Sequence, residues 1–419
     1  MMAGKGDRLA VVLDAPELGV ARHVGTLIRW PGTSARRPVS FEYPEGWRGD
    51  REAFALDPRT RLFAYDQPLG VDTLPPALLD TTPDAWGKLL LQREHQRLLG
   101  NWELLVEISD ETRMGALRLG PTAAGPFVRA GGGAVPPIAS LRELQDLARE
   151  LEENPDAEIE ERRLHDLVAP GSSLGGGRPK ANVRDADGSL WIAKFPSRED
   201  RRLDLGAWEF VYADLARDAG IDVADHRIEA VMGRGRGRTY LVRRFDRNAD
   251  GSRRLFVSGM TLTDHRDGEA ASYPDLAKAI ADHGAAGTVK ADLAQLFRRL
   301  MFNVAAGNRD DHLRNHGFLR TREGWRLAPA FDMNPARAAH RHSLSLDGRS
   351  DDQDVLTAFA THRLYQLSAR EAREILGVVV RAVSQWKAEA KAVAIGAIEC
   401  EAVAPAFAQL KDAAVLAAA

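Results

Sequence analysis

The chain has 419 residues, 44% hydrophobic and 28% charged, with a net charge of −3 and a single cysteine, Cys400. That length allows two or three domains around a large buried core, and the near-neutral charge is a poor footprint for a protein whose main task is gripping DNA phosphates. One cysteine excludes an intramolecular disulfide and a thiolate zinc site; no run reaches the ~18 apolar residues of a membrane helix, and the start, MMAGKGDRLAVVLD, has no apolar signal core, so a cytoplasmic globular protein is expected.

Residues 1–65 contain brief β-rich runs, VVLD, VGTLI and VSFEY, separated by turn-forming residues. The stretch LLDTTPDAWGKLLLQREHQRLLG then predicts a helix with Thr82 as N-cap and Pro83 at its first position. That helix would place Trp86, Leu89 and Leu90 on one face and close at Gly100. PTAAGPFVRAGGGAVPP (121–137) reads as a linker, because its Gly, Pro and Ala residues cannot form a packed element, and a short helix over about 140–153 follows it. From about 160 the pattern becomes strand, glycine-rich loop and strand (LWIAKFP), then a helix over 204–219 ended by Gly220, then RTYLVRRFD. The remainder is largely helical. Leu293, Leu296, Phe297, Leu300, Met301 and Val304 form the apolar stripe of one buried-face helix, and Ser368 with Glu371 makes a capping-box pattern before another. A β-rich half preceding a larger helical half gives an α+β fold, two-lobed and protein-kinase-like, with an extra domain in front.

MFNVAAGNRDDHLRNHGFL (301–319) places polar residues on a loop at the end of the striped helix. Asp310 and Asn315 stand five positions apart, with His312 between them. Phosphoryl transfer needs a carboxylate for the proton of the attacking hydroxyl and oxygen ligands for Mg²⁺, and this spacing supplies both, as in the pattern H-R-D-L-x-x-x-N. Taken alone, a helix end running into a solvated loop would look the same. RLAPAFDMNP (326–335) ends an apolar run in Asp332, the place of an aspartate that reaches Mg²⁺, although Met-Asn follows rather than Phe-Gly and an Asp there is often a turn former. In SSLGGGRPKANV, Gly175, Gly176 and Gly177 permit close approach of backbone N–H groups to phosphate, and Arg178 and Lys180 add charge; a plain hairpin turn explains the glycines equally well. Lys194 lies between Ile192 and Phe195 on an apolar strand, where an ammonium is costly without an anion, and Glu209 on the next helix is placed to pair with it or to face solvent. The order of these features, from glycine loop to metal aspartate, is the one two-lobed kinases require.

The motifs SSLGGGRPKA, WIAKFP, LVRRFDR, GNRDDHLRNHGFL and APAFDMNP, with LPPALLDTTPDAWGKLLLQR and DETRMGALRLG nearer the start, resemble the HipA-type toxin kinases of bacterial toxin–antitoxin systems over nearly the whole chain. His312, two positions after Asp310, is similar to the loops of that family and of phosphoinositide kinases, and departs from ordinary eukaryotic protein kinases. The resemblance implies a small N-terminal HipA-type domain over 1–120, a linker and helix over 121–155, a kinase N-lobe over 156–247 and a helical C-lobe over 248–419. It implies Asp310 as proton acceptor, Asn315 and Asp332 on Mg²⁺, Lys194 on the phosphates of ATP, and Gly175 to Lys180, Pro179 included, over the nucleotide. Arg243, Arg244 and Phe245 would form the hinge beside adenine, with Arg243 where relatives can carry Glu. Glu209, His312, Leu313, Arg314 and Phe331 would complete the ATP site. It further implies a growth-arresting serine/threonine kinase acting on an aminoacyl-tRNA synthetase and held in check by a HipB-like helix-turn-helix antitoxin, through which alone it would meet DNA. Ser173 would be the inactivating autophosphorylation site, with Ser172 beside it.

A small-molecule or phosphoinositide-like kinase would share every catalytic residue named here. A metal-dependent hydrolase using Asp310, Asp311, His312 and His316 would leave the glycine loop and Lys194 unexplained, and a pseudokinase scaffold would not need the intact Lys, Asp, Asn and Asp set.

Overall fold

Along the first strands burial comes in consecutive runs, Ala10 to Leu13 among them, so both faces of their sheet are covered there. The computed structural model describes residues 6–32, 36–62, 65–130, 135–154, 167, 177–200, 203–230, 237–335, 341–350, 352 and 354–419. They form an α+β protein of two compact units, one made of Met1–Ala193 with Asp246–Val257, the other of Lys194–Phe245 with Ser258–Ala419. No described helix is long and apolar enough to cross a membrane.

The first unit contains an antiparallel sheet of β1 (Asp7–Leu13), β2 (Arg22–Arg29), β3 (Pro38–Glu42), β4 (Gln67–Val71) and β5 (Leu117–Gly120) in the order β4-β3-β2-β1-β5. Val11, Val24, Leu27 and Phe41 are fully buried on it. Further along, the helix Ala85–Glu94 starts later than the sequence predicts. Its N-cap is Asp84, whose carboxylate accepts the Gly87 N–H at 2.8 Å, while the Thr82 hydroxyl donates to the Leu79 carbonyl and so closes the preceding short helix, Pro76–Leu79. The helix also stops at Glu94, and Leu89 is 49% exposed rather than packed with Trp86 and Leu90. A second helix, Asn101–Glu107, follows.

The stretch Asp246–Val257 is bolted into this unit by buried charge. Asp246 accepts the Gly115 N–H at 2.7 Å and Arg247 at 2.5 Å, and Arg247 also donates to the carbonyls of Glu111 and Arg113 at 3.0 and 2.9 Å. Arg113 is itself fully buried and donates to the carbonyls of Leu105 and Ile108; burial pushes its pKa down to about 10, against the opposing pull of Asp110. DETRMGALRLG is thus a knot of backbone carbonyls satisfied by arginines.

In the second unit, Asp204 caps the helix Leu205–Asp218 by accepting from Ala207 N–H, and Trp208 donates to Glu399 at 2.9 Å. Strands β8 (His226–Glu229) and β9 (Thr239–Arg243) pair antiparallel, following β6 (Lys180–Arg184) and β7 (Leu190–Lys194) in the chain. The helix Val289–Ala306 is the axis of the helical part: Leu293, Leu296, Phe297, Leu300, Met301 and Val304 are all fully buried, as the stripe predicts. Cutting one of the leucines to alanine would cost about 2–5 kcal/mol. The Ser368–Glu371 capping box forms at the start of Ala369–Val383.

Candidate active site

The striped helix delivers the polar loop with little freedom. The Tyr212 hydroxyl donates to the Ala306 carbonyl at 2.5 Å, and Gly307 ends the helix in the left-handed conformation, φ +68°. A Cβ at Gly307 would overlap the backbone carbonyl of Ala406, so only glycine fits both the angle and the space. The chain then turns through Asp310, whose side chain is 74% exposed, to Asp311, which is 1% exposed.

Asn315 faces back into the loop. Its Nδ2 donates to the Asp310 carbonyl at 2.6 Å, and its Oδ1 is buried with no hydrogen-bond partner among the described residues. A buried acceptor left open in this way is costly unless something electropositive meets it. Asp332 occupies φ +58°, a region that Asp tolerates and most residues avoid, which points the strand-end carboxylate away from the regular backbone path. Its Oδ1 accepts from Lys194 Nζ at 2.6 Å, and Lys194 also donates to Glu209 Oε1 at 2.5 Å. Glu209 thus faces Lys194 and not solvent.

Electrostatics follow from that clustering. Burial works against the charge on Lys194, but Asp332 and Glu209 outweigh it and hold the pKa above the ordinary lysine value. The Asp310 carboxyl is pushed up by the protein surrounding it and by the carboxylates of Asp332 and Asp311, against the pull of His312, whose Nε2 lies 3.8 Å from Asp310 Oδ1. An exposed carboxylate with a raised pKa is a better proton acceptor than an ordinary aspartate.

Other expected residues are placed as follows. Phe245 and Phe331 stand 5.5 Å apart, ring to ring, at 33°. Arg244 is buried, and Arg243 pairs with Asp225 at 3.5 Å. Leu313 is buried, whereas Arg314 is exposed and pairs with Asp267, one contact being 2.8 Å. Lys180, 2% exposed, directs its ammonium to Asp84 at 2.5 Å. Gly177, Arg178 and Pro179 are described; Gly175, Gly176, Ser172 and Ser173 lie outside the described residues.

The oxygen donors fit Mg²⁺. That ion binds through one or two protein side chains and takes its remaining ligands from water and phosphate oxygens. The open Oδ1 of Asn315 and the carboxylate of Asp332 are donors of that kind, and no group of three or more His, Cys, Asp or Glu among the described residues forms a self-contained cage. Asp311 is unavailable for metal. Its Oδ2 accepts from the Tyr273 hydroxyl at 2.7 Å and His342 Nδ1 at 2.9 Å, and its Oδ1 from the Ser343 N–H at 3.1 Å. Tyr273, in ASYPD, and His342, in HRHSL, belong to no motif read from the sequence.

Residues 172–386 match the HipA-like C-terminal domain family. A segment of 161 residues is 27% identical to the Sinorhizobium fredii protein Y4dM, named as a candidate kinase; the match covers 36% of this chain and 38% of that relative's length. A chain of the Shewanella oneidensis toxin–antitoxin complex of HipA, HipB and operator DNA superposes with a TM-score of 0.66 at 20% identity, over 97% of this chain and 96% of that chain. The Helicobacter pylori proinflammatory kinase CtkA superposes with a TM-score of 0.45 at 15% identity, over 59% of this chain and 95% of that chain.

Proposed function

The chain belongs to the HipA-like C-terminal domain family, and on that premise we propose that it is an ATP-dependent serine/threonine protein kinase. The observation that carries this reading is the buried Lys194 ammonium, shared by Glu209 and Asp332 from 15 and 138 positions away. A lysine fixed as a cation by one fully buried carboxylate and one at the rim of the site is suited to receive nucleotide phosphates. Asp310 accepts the proton of the attacking hydroxyl as the new oxygen–phosphorus bond forms and the bond to ADP breaks. The Asn315 amide keeps the Asp310 backbone in register through its Nδ2 and offers its Oδ1, with Asp332, to Mg²⁺. A bound Mg²⁺ would neutralise charge on the transferred group.

The protein target is a translation component such as an aminoacyl-tRNA synthetase, the role is growth arrest in the cytoplasm, and the partner is a HipB-like helix-turn-helix antitoxin that carries the contact with operator DNA. In the same reading, the segment Gly175–Lys180 covers the nucleotide and self-modification at Ser173 switches the enzyme off. A hydrolase built on Asp311 is disfavoured, since that carboxylate is already held by three donors.

Purified protein with Mg²⁺ and γ-labelled ATP should label a synthetase from a purified panel and, on itself, Ser173. Asp310→Asn should bind ATP normally yet transfer phosphate at least ~10²-fold more slowly. Labelling confined to a metabolite panel, or an Asp310→Asn variant as fast as the parent, overturns the reading.

A further inference from the structure

Asp310 is the exposed member of an Asp–Asp pair, and its backbone is fixed through its own carbonyl and through both neighbours. The Arg309 carbonyl accepts from the Ser343 N–H at 2.9 Å and the Ser343 hydroxyl at 3.0 Å. The Asp310 carbonyl is held by Asn315. The Asp311 carboxylate, buried, is gripped on one oxygen by Tyr273 and His342 together. A buried carboxylate is tolerable only with such donors, and removing one frees the group to move toward water.

The grip extends to the other catalytic loop. The Asn334 N–H donates to Asn308 Oδ1 at 3.4 Å, Asn308 Nδ2 to Asn303 Oδ1 at 3.0 Å, and Asn303 Nδ2 to the Tyr273 hydroxyl at 2.8 Å, which in turn donates to Asp311. Every donor in this line points the same way, so each bond polarises the next, and the line ends on a carboxylate. Asn303, Asn308 and Tyr273 are buried, and Asn334 stands two residues after Asp332. One hydrogen-bonded line thus joins the loop of Asp332 to the residue beside Asp310. His342 enters from a third segment, whose Ser345 bridges to Ser272 at the N-terminus of the helix Tyr273–His283. Facing a carboxylate, its ring donates from Nδ1.

We infer that Tyr273 and His342 are positioning residues, which hold Asp310 in its catalytic place by clamping Asp311. The inference rests on the phosphotransfer reading for its kinetic consequence, but not for the clamp itself. A displacement of about 1 Å at a reacting group can cost about 10²-fold in rate. Neither residue bonds directly to Lys194, Asn315 or Asp332, so ATP binding should lose far less than turnover.

The test uses the full chain and three variants. Tyr273→Phe removes only the hydroxyl, His342→Leu removes the ring donor, and His342→Asn restores an N–H near the position of Nδ1. The first two should lower kcat per nucleotide-binding site by ~10- to 100-fold while KM and Kd for ATP stay within about twofold, and His342→Asn should recover most of the loss. Combining Tyr273→Phe with His342→Leu should cost less than the product of the two, because both donors serve one oxygen. Independently of turnover, hydrogen exchange in peptides spanning 308–316 should quicken in Tyr273→Phe and His342→Leu. A kcat within about twofold of the parent in Tyr273→Phe overturns the inference, and so does unchanged exchange in that loop. A parent that transfers no phosphate refutes the kinase reading, and the exchange measurement still decides the clamp.

Discussion

Lys180 and Lys194 each bury an ammonium at 2.5 Å from a carboxylate, Asp84 in one case and Glu209 in the other. The difference lies in what else the carboxylates do. Asp84 is 4% exposed and also caps a helix, so its pair with Lys180 cancels charge and fastens two pieces of chain. Lys194 has a second carboxylate, Asp332, 21% exposed and held in a left-handed conformation. Asp332 thus places a carboxylate at the more exposed end of the Lys194 cluster, a position that suits a cation. Burial of a lysine therefore says little by itself. What separates the two lysines is whether a carboxylate beside the ammonium reaches solvent.

The same change made at each lysine separates the two. Asp332→Asn leaves the Lys194–Glu209 pair balanced and should lower phosphotransfer by up to ~10³-fold, with the free energy of unfolding moved by less than ~1 kcal/mol. Asp84→Asn takes a carboxylate away from a buried ammonium and should cost ~3–5 kcal/mol in urea unfolding. Replacing both partners, Asp84→Leu with Lys180→Met, should return most of that stability, since a packed apolar pair is often as good as a buried ion pair. Equal stability losses at both aspartates would dissolve the distinction.

His316 sharpens the contrast from the other side. At Lys194 two carboxylates outweigh burial; at His316 burial and the Arg299 guanidinium outweigh Asp311, and the pKa falls to about 4. Because the folded value lies below the unfolded one of 6.5, its contribution to stability is fully present above about pH 6.5 and is lost as pH falls toward 4. The loss should approach ~3 kcal/mol at the acid end, read from urea unfolding between pH 7 and 4, and His316→Phe should flatten that part of the profile.

Much of the local structure was legible in the sequence. A helix stripe, a capping box and a lysine on an apolar strand are local patterns, and each of them forms. The partnership of Lys194 with Glu209 was also readable, because an ammonium in an apolar strand needs an anion and the next helix offers one. What could not be read is convergence between distant segments. Thr82 and Asp84 are equally good caps in isolation, and the structure uses Asp84, which also receives Lys180 from 96 positions away, while Thr82 is occupied with Leu79. For the same reason the pairing of Lys180, read from the sequence as a cation near phosphate, with Asp84 carried no local signal. Tyr273 and His342 carry no local signal, since their role exists only once three segments meet at Asp311.

Gly307 carries a consequence for the order in which the molecule is made. Its missing side chain leaves room for the carbonyl of Ala406, a residue 99 positions later in the chain (406 − 307). A ribosome adding 5–20 residues per second needs roughly 5–20 s to cover that interval. For most of it, the loop bearing Asp310 and Asn315 has been synthesised but lacks the wall against which its first turn is moulded. A nascent chain therefore holds the side chains of that loop before it holds the segment against which the loop's first turn is moulded.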